Sequence, residues 1–93
     1  MVVDEQKTRI INRLRRIEGQ VKGIQRMLDS EQCCADILVQ IAAVRSAINK
    51  VGGLIFERYS QNCLAKADTP EALQQAMGDL LKTMNGFIKG GGA

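Results

Sequence analysis

The side chains in this sequence that could do chemistry are three cysteines, Cys33, Cys34 and Cys63. A thiolate is both a nucleophile towards electrophilic sulfur and a ligand for soft metal ions such as Cu(I). The chain has no histidine, which excludes a Cys-His catalytic pair within one subunit. It also excludes most zinc and nickel sites, because these need imidazole or four thiolates. The thiols are therefore the candidates for a redox reaction or a soft-metal site.

Cys34 and Cys63 lie near the two ends of one predicted helix. At about 1.5 Å per residue, their Cα atoms would be roughly 44 Å apart, whereas a disulfide needs Cα atoms within about 7 Å. Both nevertheless project within about 20° of the same direction. Two antiparallel copies, related by a two-fold axis near Ile48 and Asn49, would bring Cys34 of one chain to Cys63 of the other. We therefore expect the working site to lie between subunits, the alternative being that both thiols are small buried apolar side chains.

Three amphipathic helices and no strand are predicted, which makes the fold all-α. Helix 1 is expected from about residue 4 to 29, helix 2 from about 33 to 65 and helix 3 from about 70 to 89, followed by a flexible glycine tail at residues 90–93. Asp4 is a suitable N-cap for helix 1, and Thr69 before Pro70 marks the start of helix 3. Apolar residues recur at spacings of 4 and 3, as in helices that bury one face: Ile10, Leu14, Ile17, Val21, Ile24 and Leu28; Ile37, Ile41, Val44, Ile48, Val51 and Ile55; Leu73, Met77, Leu80, Met84 and Phe87.

The chain is short for a protein with such long helices. Residues 1–89 are predicted to form one domain, and a chain of this size buries only about 60–65% of its unfolded surface. We expect two chains to form an antiparallel four-helix bundle from helices 1 and 2, and helix 3 to cap it or to join two dimers into a tetramer. Gly52 and Gly53 lie mid-helix, where glycine costs about 1 kcal/mol against alanine. Close approach of a partner helix at these glycines would compensate for that cost. The alternative is that helix 2 is an ordinary buried helix with a tolerated kink.

Positive charge is concentrated on helix 1. Before Asp29, seven Lys and Arg side chains stand against three Asp and Glu, while the whole chain carries a net charge of +3. Arg13, Arg15 and Arg16 lie on flanks that do not overlap the apolar stripe, and arginine forks suit phosphate better than an ammonium does. A basic helix face attracts the DNA backbone, although charge runs are usually just solvated. No helix-turn-helix is predicted, so DNA binding would use helix faces.

Several classes of protein are disfavoured by the sequence. No run of about 18 apolar residues predicts a membrane span, and the N-terminus lacks the apolar core of a signal peptide. A cytoplasmic location is therefore expected, where thiols stay reduced unless they are redox-active or metal-binding. A thiol oxidoreductase or a copper-storage bundle would be the rival classes. The absence of a Cys-x-x-Cys pair and of cofactor motifs disfavours the enzyme, and three thiols are few for storage.

Several motifs resemble those of the copper-sensitive operon repressor family, which also contains nickel, cobalt and formaldehyde sensors. The resemblance covers nearly the whole chain and rests on Arg-Leu-Arg-Arg-Ile-Glu-Gly-Gln-Val at residues 13–21, Gln-Ile-Ala-Ala-Val-Arg at residues 40–45, and the cysteines of helix 2. It implies an all-helical, tetrameric repressor that an inducer at the helix 2 site releases from operator DNA. The family's basic DNA-contact positions correspond to Arg13 and Lys50, whereas Arg15 and Arg16 come from the charge pattern.

Departures from the family pattern reduce the number of candidate inducers. Copper sensors of the family have a histidine four residues before the second cysteine, where this chain has Tyr59. Nickel and cobalt members need several histidines, and formaldehyde sensors use an N-terminal proline where Val2 stands. The chain is most similar to the persulfide-sensing branch, in which a low-molecular-weight persulfide or polysulfide leads to a disulfide or polysulfide bridge between subunits. Cu(I) held by Cys34 and Cys63 is the alternative, since Cu(I) accepts two thiolates.

The residues of this candidate site have different expected roles. Cys34 begins helix 2, where the helix dipole stabilises an anion, so we predict that Cys34 attacks and Cys63 resolves. Cys33 is an extra thiol that would point about 100° around the helix from Cys34; an accessory role, overoxidation and no role are the alternatives, and the last of these is favoured. Tyr59 is expected to pack beside the cysteines. Asp79 lies where the family has an acidic residue that couples the sensor site to the tertiary structure, but Cys33 replaces its usual tyrosine partner. No resident cofactor is expected.

Overall fold

The structure, a computed structural model, describes residues 4–91, and this part of the chain contains three α-helices and no strand. Helix α1 runs from Glu5–Asp29, α2 from Cys34–Lys66 and α3 from Pro70–Gly91. The prediction of an all-α fold is confirmed. Each helix begins and ends within two residues of the position expected from the apolar pattern.

The largest difference is at the end of α3. The helix includes Gly90 and Gly91, so these two residues are helical and do not belong to the predicted flexible tail. Gly92 and Ala93, the rest of that tail, lie outside the described residues, as does Val2.

Side-chain caps explain where α1 and α3 begin. The Asp4 carboxylate accepts a hydrogen bond from the backbone N–H of Lys7 at 3.0 Å, and the Thr69 hydroxyl accepts one from the N–H of Ala72 at 3.0 Å. Each bond satisfies an N–H group that has no partner within the first helical turn. Both predicted N-caps are therefore confirmed.

A compact turn ends α1 and sets where α2 begins. The N–H of Gln32 donates to the Met27 carbonyl at 3.0 Å, and the N–H of Glu31 donates to the Leu28 carbonyl at 3.1 Å. This pair of bonds is a Schellman motif. Glu31 takes the left-handed position, with φ 54°, where glycine is the usual residue.

The chain divides into two compact units, Met1–Val51 and Gly52–Ala93, with the boundary inside α2. Within residues 4–91, the buried apolar side chains all come from the predicted stripes. They are Ile10, Ile17, Ile24 and Val51 in the first unit and Leu80 in the second.

Much of the apolar stripe of α2 remains exposed within one chain: Ile41, Ile48 and Ile55 are 44%, 42% and 47% exposed. By length and composition alone, α2 could cross a membrane, with a mean hydropathy of 1.2 over a window that is 6% buried. This differs from the expectation that no segment would qualify. A helix that packs its apolar face on a second subunit has the same composition, so this property does not by itself indicate a membrane protein.

Candidate functional site

Two of the three thiols lie at the start of α2. Cys34 is the first residue of the helix, and Cys33 precedes it, outside the helix. The Cys33 carbonyl accepts hydrogen bonds from the N–H groups of Asp36 at 3.0 Å and Ile37 at 3.2 Å, which begin the helical ladder. Both thiols are free and exposed. Cys33 therefore lies immediately before α2 rather than inside it, and its predicted direction away from Cys34 stays a prediction.

The third thiol, Cys63, lies near the end of α2 and is free and half-buried. Tyr59, one turn earlier, forms a hydrogen bond with it. This bond is the main reason why the pKa of Tyr59 is raised above its ordinary value of 10.0, and the negative charge of an ionised Cys63 and partial desolvation add to it. The phenol therefore stays neutral at neutral pH and donates its O–H towards the sulfur. Tyr59 lies beside Cys63, as the sequence predicted.

Asp79 brings a carboxylate from α3 to the same cluster. Its charge is the smallest of the causes that raise the pKa of Tyr59. The Asp79 carboxylate also accepts a hydrogen bond from Gln75 Nε2 at 3.3 Å, and its backbone carbonyl accepts one from Thr83 Oγ1 at 2.9 Å. The second unit thus brings together three of the predicted site residues, with one thiol among them.

An apolar groove borders Tyr59, and the sequence did not predict it. It has a volume of about 380 Å³ and is lined by residues of α2 and α3: Gly52, Ile55, Phe56, Tyr59, Thr83 and Phe87. The Phe87 ring lies so close to Gly52 that a Cβ at this position would overlap it, whereas a Cβ on Gly53 would have nothing within 4 Å. The Phe87 ring of the same chain therefore explains why residue 52 is a glycine. The expected close approach of a partner helix stays a prediction for Gly53.

The four basic side chains predicted to contact DNA lie in the first unit. Arg13, Arg15 and Arg16 on α1 and Lys50 on α2 are all exposed. They are therefore accessible to a phosphate backbone, but exposure alone does not assign them to it.

The described part of the chain does not bring together a set of metal ligands. Among residues 4–91, no group of three or more His, Cys, Asp or Glu side chains could hold an ion. The donors that a soft ion such as Cu(I) prefers are the thiols. Tyr59, a neutral phenol, is a hard and poor donor in the place where an imidazole would serve.

Comparison with known proteins identifies the family of this chain. Residues 6–86 match a family described as metal-sensitive transcriptional repressor. Over 85 residues the chain is 42% identical to the copper-sensing transcriptional repressor CsoR of Bacillus subtilis (strain 168), which covers 91% of this chain and 84% of that protein. The chain belongs to the metal-sensitive transcriptional repressor family. This repressor is accordingly a regulator of transcription and not an enzyme.

Solved structures of related sensors share the fold of this repressor. One is the crystal structure of the copper-sensing repressor CsoR with Cu(I) from Geobacillus thermodenitrificans NG80-2, with a TM-score of 0.79 and 38% identity over 94% of this chain and 91% of that one. Another is the nickel-responsive transcriptional regulator InrS, with a TM-score of 0.74 and 31% identity over 86% and 90% of the two chains. Proteins with this fold respond to different metals. The fold therefore does not determine the inducer, and individual side chains must do so.

The family assignment also bears on the apolar helix. Proteins of this family regulate transcription, so the repressor is a soluble protein. The membrane alternative rests on length and composition alone.

Proposed function

We propose that this repressor binds operator DNA in its reduced form. It is released when a low-molecular-weight persulfide or polysulfide oxidises Cys34 of one subunit together with Cys63 of the partner subunit. The observation that carries the proposal is the contrast between the two thiols. Cys34 is free and exposed, whereas Cys63 is free, half-buried and hydrogen-bonded by Tyr59. In a chain without histidine, this arrangement suits an attacking and a resolving thiol.

The pairing of the two thiols depends on a homodimer. Both cysteines belong to one unbroken helix, Cys34–Lys66, so one chain does not provide a short loop that could close a disulfide between them. An antiparallel partner helix would cover the apolar side chains of α2 that are exposed in one chain, including Ile41, Ile48 and Ile55. Burial of that stripe is the driving force for the proposed dimer, and two dimers would form a homotetramer.

The reaction is a two-step thiol exchange in which the persulfide is the oxidant. The Cys34 thiolate attacks the outer sulfur of RS–SH, so a Cys34–S–SH forms and RS⁻ leaves. The Cys63 thiolate of the partner subunit then attacks the Cys34 sulfur, forming the disulfide and releasing HS⁻. In sum, two thiols and one persulfide give one disulfide, RSH and H₂S. The two thiols are oxidised, and the outer sulfur is reduced to sulfide.

DNA binding in this proposal is mainly electrostatic. Arg13, Arg15, Arg16 and Lys50 are exposed, and contacts from such side chains make the logarithm of affinity fall with the logarithm of salt by about 0.9 per phosphate neutralised. Release requires that the oxidised protein favour a conformation with poorer DNA contacts, because a ligand shifts an equilibrium only by its differential affinity.

The proposal can be tested on a DNA duplex selected by the reduced protein from a randomised pool. Binding would be titrated by fluorescence anisotropy before and after addition of a persulfide. We expect wild type to lose affinity and to form a disulfide-linked dimer, identified by mass spectrometry of the Cys34–Cys63 peptide pair. Cys34→Ala should bind DNA when reduced and ignore the persulfide, and Cys33→Ala, which removes the neighbouring exposed thiol, should respond like wild type.

Two results would count against the proposal. One is a persulfide response that survives in Cys34→Ala. The other is a wild-type protein that keeps its DNA affinity in excess persulfide but loses it with Cu(I).

Cu(I) is the second candidate inducer, because the Bacillus subtilis and Geobacillus relatives are copper-sensing repressors. Cys34 and Cys63 of the partner subunit would supply two thiolates, which Cu(I) accepts. Tyr59 fits less well, since a neutral phenol does not replace a nitrogen donor. The same titration with Cu(I), held at a known free concentration by a chelator, separates the two inducers.

A further inference from the structure

All the aromatic side chains of the chain line one groove. The chain contains two phenylalanines, one tyrosine and no tryptophan, and Phe56, Tyr59 and Phe87 all line the groove of about 380 Å³ formed by α2 and α3. This volume falls in the range of small-molecule sites, about 300–1,000 Å³. Core packing does not explain the clustering, because Tyr59 and Phe87 are 45% and 41% exposed.

The charge around the groove is negative and lies on α3. Within residues 4–91, no charged side chain lines the groove, and the basic residues Arg58, Lys82 and Lys89 are not among its walls. Thr83, which does line it, donates its hydroxyl to the Asp79 backbone carbonyl at 2.9 Å. The Asp79 carboxylate therefore lies one helical turn from the groove wall.

The hydrogen bonds of the groove disfavour an anionic ligand. Its two hydroxyl protons are already donated, that of Thr83 to the Asp79 carbonyl and that of Tyr59 to the sulfur of Cys63. No lining side chain is therefore left to donate a hydrogen bond to an anion. Aromatic faces carry partial negative charge, so the three rings and the carboxylate favour a cation.

We propose that this groove binds a quaternary ammonium cation, with Phe56, Tyr59 and Phe87 as an aromatic cage and Asp79 as the countercharge. A quaternary ammonium has no N–H group and carries its charge on an alkyl surface, so ring faces bind it without hydrogen-bond acceptors. A primary ammonium, in contrast, needs acceptors to replace its water. All four residues belong to the second unit of one chain, so the site does not depend on the pairing of thiols between subunits.

The test compares choline with 3,3-dimethylbutan-1-ol, in which a carbon replaces the charged nitrogen at nearly unchanged shape. Each compound would be titrated into the reduced full-length protein at constant ionic strength and followed by calorimetry. We expect saturable choline binding and binding of the neutral alcohol that is at least about 10-fold weaker. Because Tyr59 is the single tyrosine of a chain without tryptophan, the intrinsic fluorescence should change with the same saturation curve.

Variants assign the binding to the cage. Phe87→Leu and Tyr59→Leu should each weaken choline binding by roughly 5- to 10-fold, because each removes a ring face and keeps an apolar side chain. Both residues are partly exposed, and circular dichroism would confirm that the variants fold. Asp79→Asn should weaken binding by roughly 3-fold. Leu81→Ala is the control with wild-type affinity, since Leu81 lies on the same helix but lines a different groove.

Three outcomes would overturn the inference. They are the absence of saturable choline binding, equal affinities for choline and the neutral alcohol, and choline affinity that is unchanged in both ring variants. Equal affinities would indicate a groove for neutral apolar ligands. None of these measurements involves persulfide or DNA, so their failure would leave the proposed function unaffected.

Discussion

The two ends of α2 present the same side chain in opposite surroundings. At the start, Cys34 is exposed and has a second thiol as its neighbour. Near the end, Cys63 is half-buried and receives a hydrogen bond from Tyr59, whose pKa the Asp79 carboxylate also raises. The first thiol is placed to meet a reagent from solvent, and the second is held in a defined position. The contrast suggests that the division of labour between the thiols is set by their surroundings.

The largest effect is expected from a substitution in the Cys63 region. Tyr59→His should raise Cu(I) affinity by roughly 100-fold, since an imidazole adds a third donor to the two thiolates. Competition with a colorimetric Cu(I) chelator measures the gain. Tyr59→Phe is the matched control, which removes the hydroxyl without adding a donor. Equal affinities of the His and Phe variants would show that this position does not face the ion.

The second prediction concerns reactivity at the two ends. In a Cys33→Ala background, Cys34 should be alkylated by iodoacetamide several-fold faster than Cys63, because the Cys34 thiol is exposed and starts a helix. Mass spectrometry of timed samples of the Cys34→Ala and Cys63→Ala variants gives both rates. Faster alkylation of Cys63 would reverse the assigned roles of attacking and resolving thiol.

The third prediction tests how α3 is held against the part of α2 near Tyr59. Gly52→Ala should lower the free energy of unfolding by about 1–2 kcal/mol, because the new Cβ overlaps the Phe87 ring and the ring must move. In a Phe87→Ala background the same substitution should cost nothing, and the double-mutant cycle isolates the contact. Gly53→Ala is the control, since a Cβ there meets nothing within 4 Å of the chain. A Gly52 penalty that persists without the Phe87 ring would contradict this account.

The smallest effect is the titration of Tyr59, which is the only tyrosine in a chain without tryptophan. Phenolate absorbance should give a pKa above 10.0, with the hydrogen bond to Cys63 as the main cause. Cys63→Ala should therefore lower the pKa towards 10.0, and Asp79→Asn should lower it less. A pKa that is unaffected by Cys63→Ala would place Tyr59 away from the thiol.

The same titration predicts a pH dependence of stability. A pKa raised in the folded state means that the folded protein holds the Tyr59 proton more tightly than the unfolded chain does. The contribution of this proton to the free energy of unfolding is complete below pH 10.0, the ordinary pKa of tyrosine. It is lost as pH rises through the raised pKa of the folded state. Denaturant unfolding should show this loss in wild type, and Tyr59→Phe should not.

Sequence alone determined what depends on neighbours a few residues apart. The three helices follow from apolar spacing, and the caps at Asp4 and Thr69 are bonds to residues three positions later. The inventory of three thiols without histidine limits the chemistry to thiolate reactions and the binding of soft ions. The basic flank of α1 could also be predicted, because a helix fixes which residues share a face.

Only the tertiary structure decided what depends on distant residues. Asp79 lies near Tyr59, and Phe87 covers Gly52, because α3 folds onto the second half of α2 within the second unit. No spacing along the chain reports such contacts between helices. The turn after α1 is local, yet the sequence did not predict it: Glu31 takes a left-handed conformation there. A glycine would usually mark such a position, but residue 31 is a glutamate, so the sequence does not show the turn. The backbone hydrogen bonds of Glu31 and Gln32 stabilise the left-handed conformation instead.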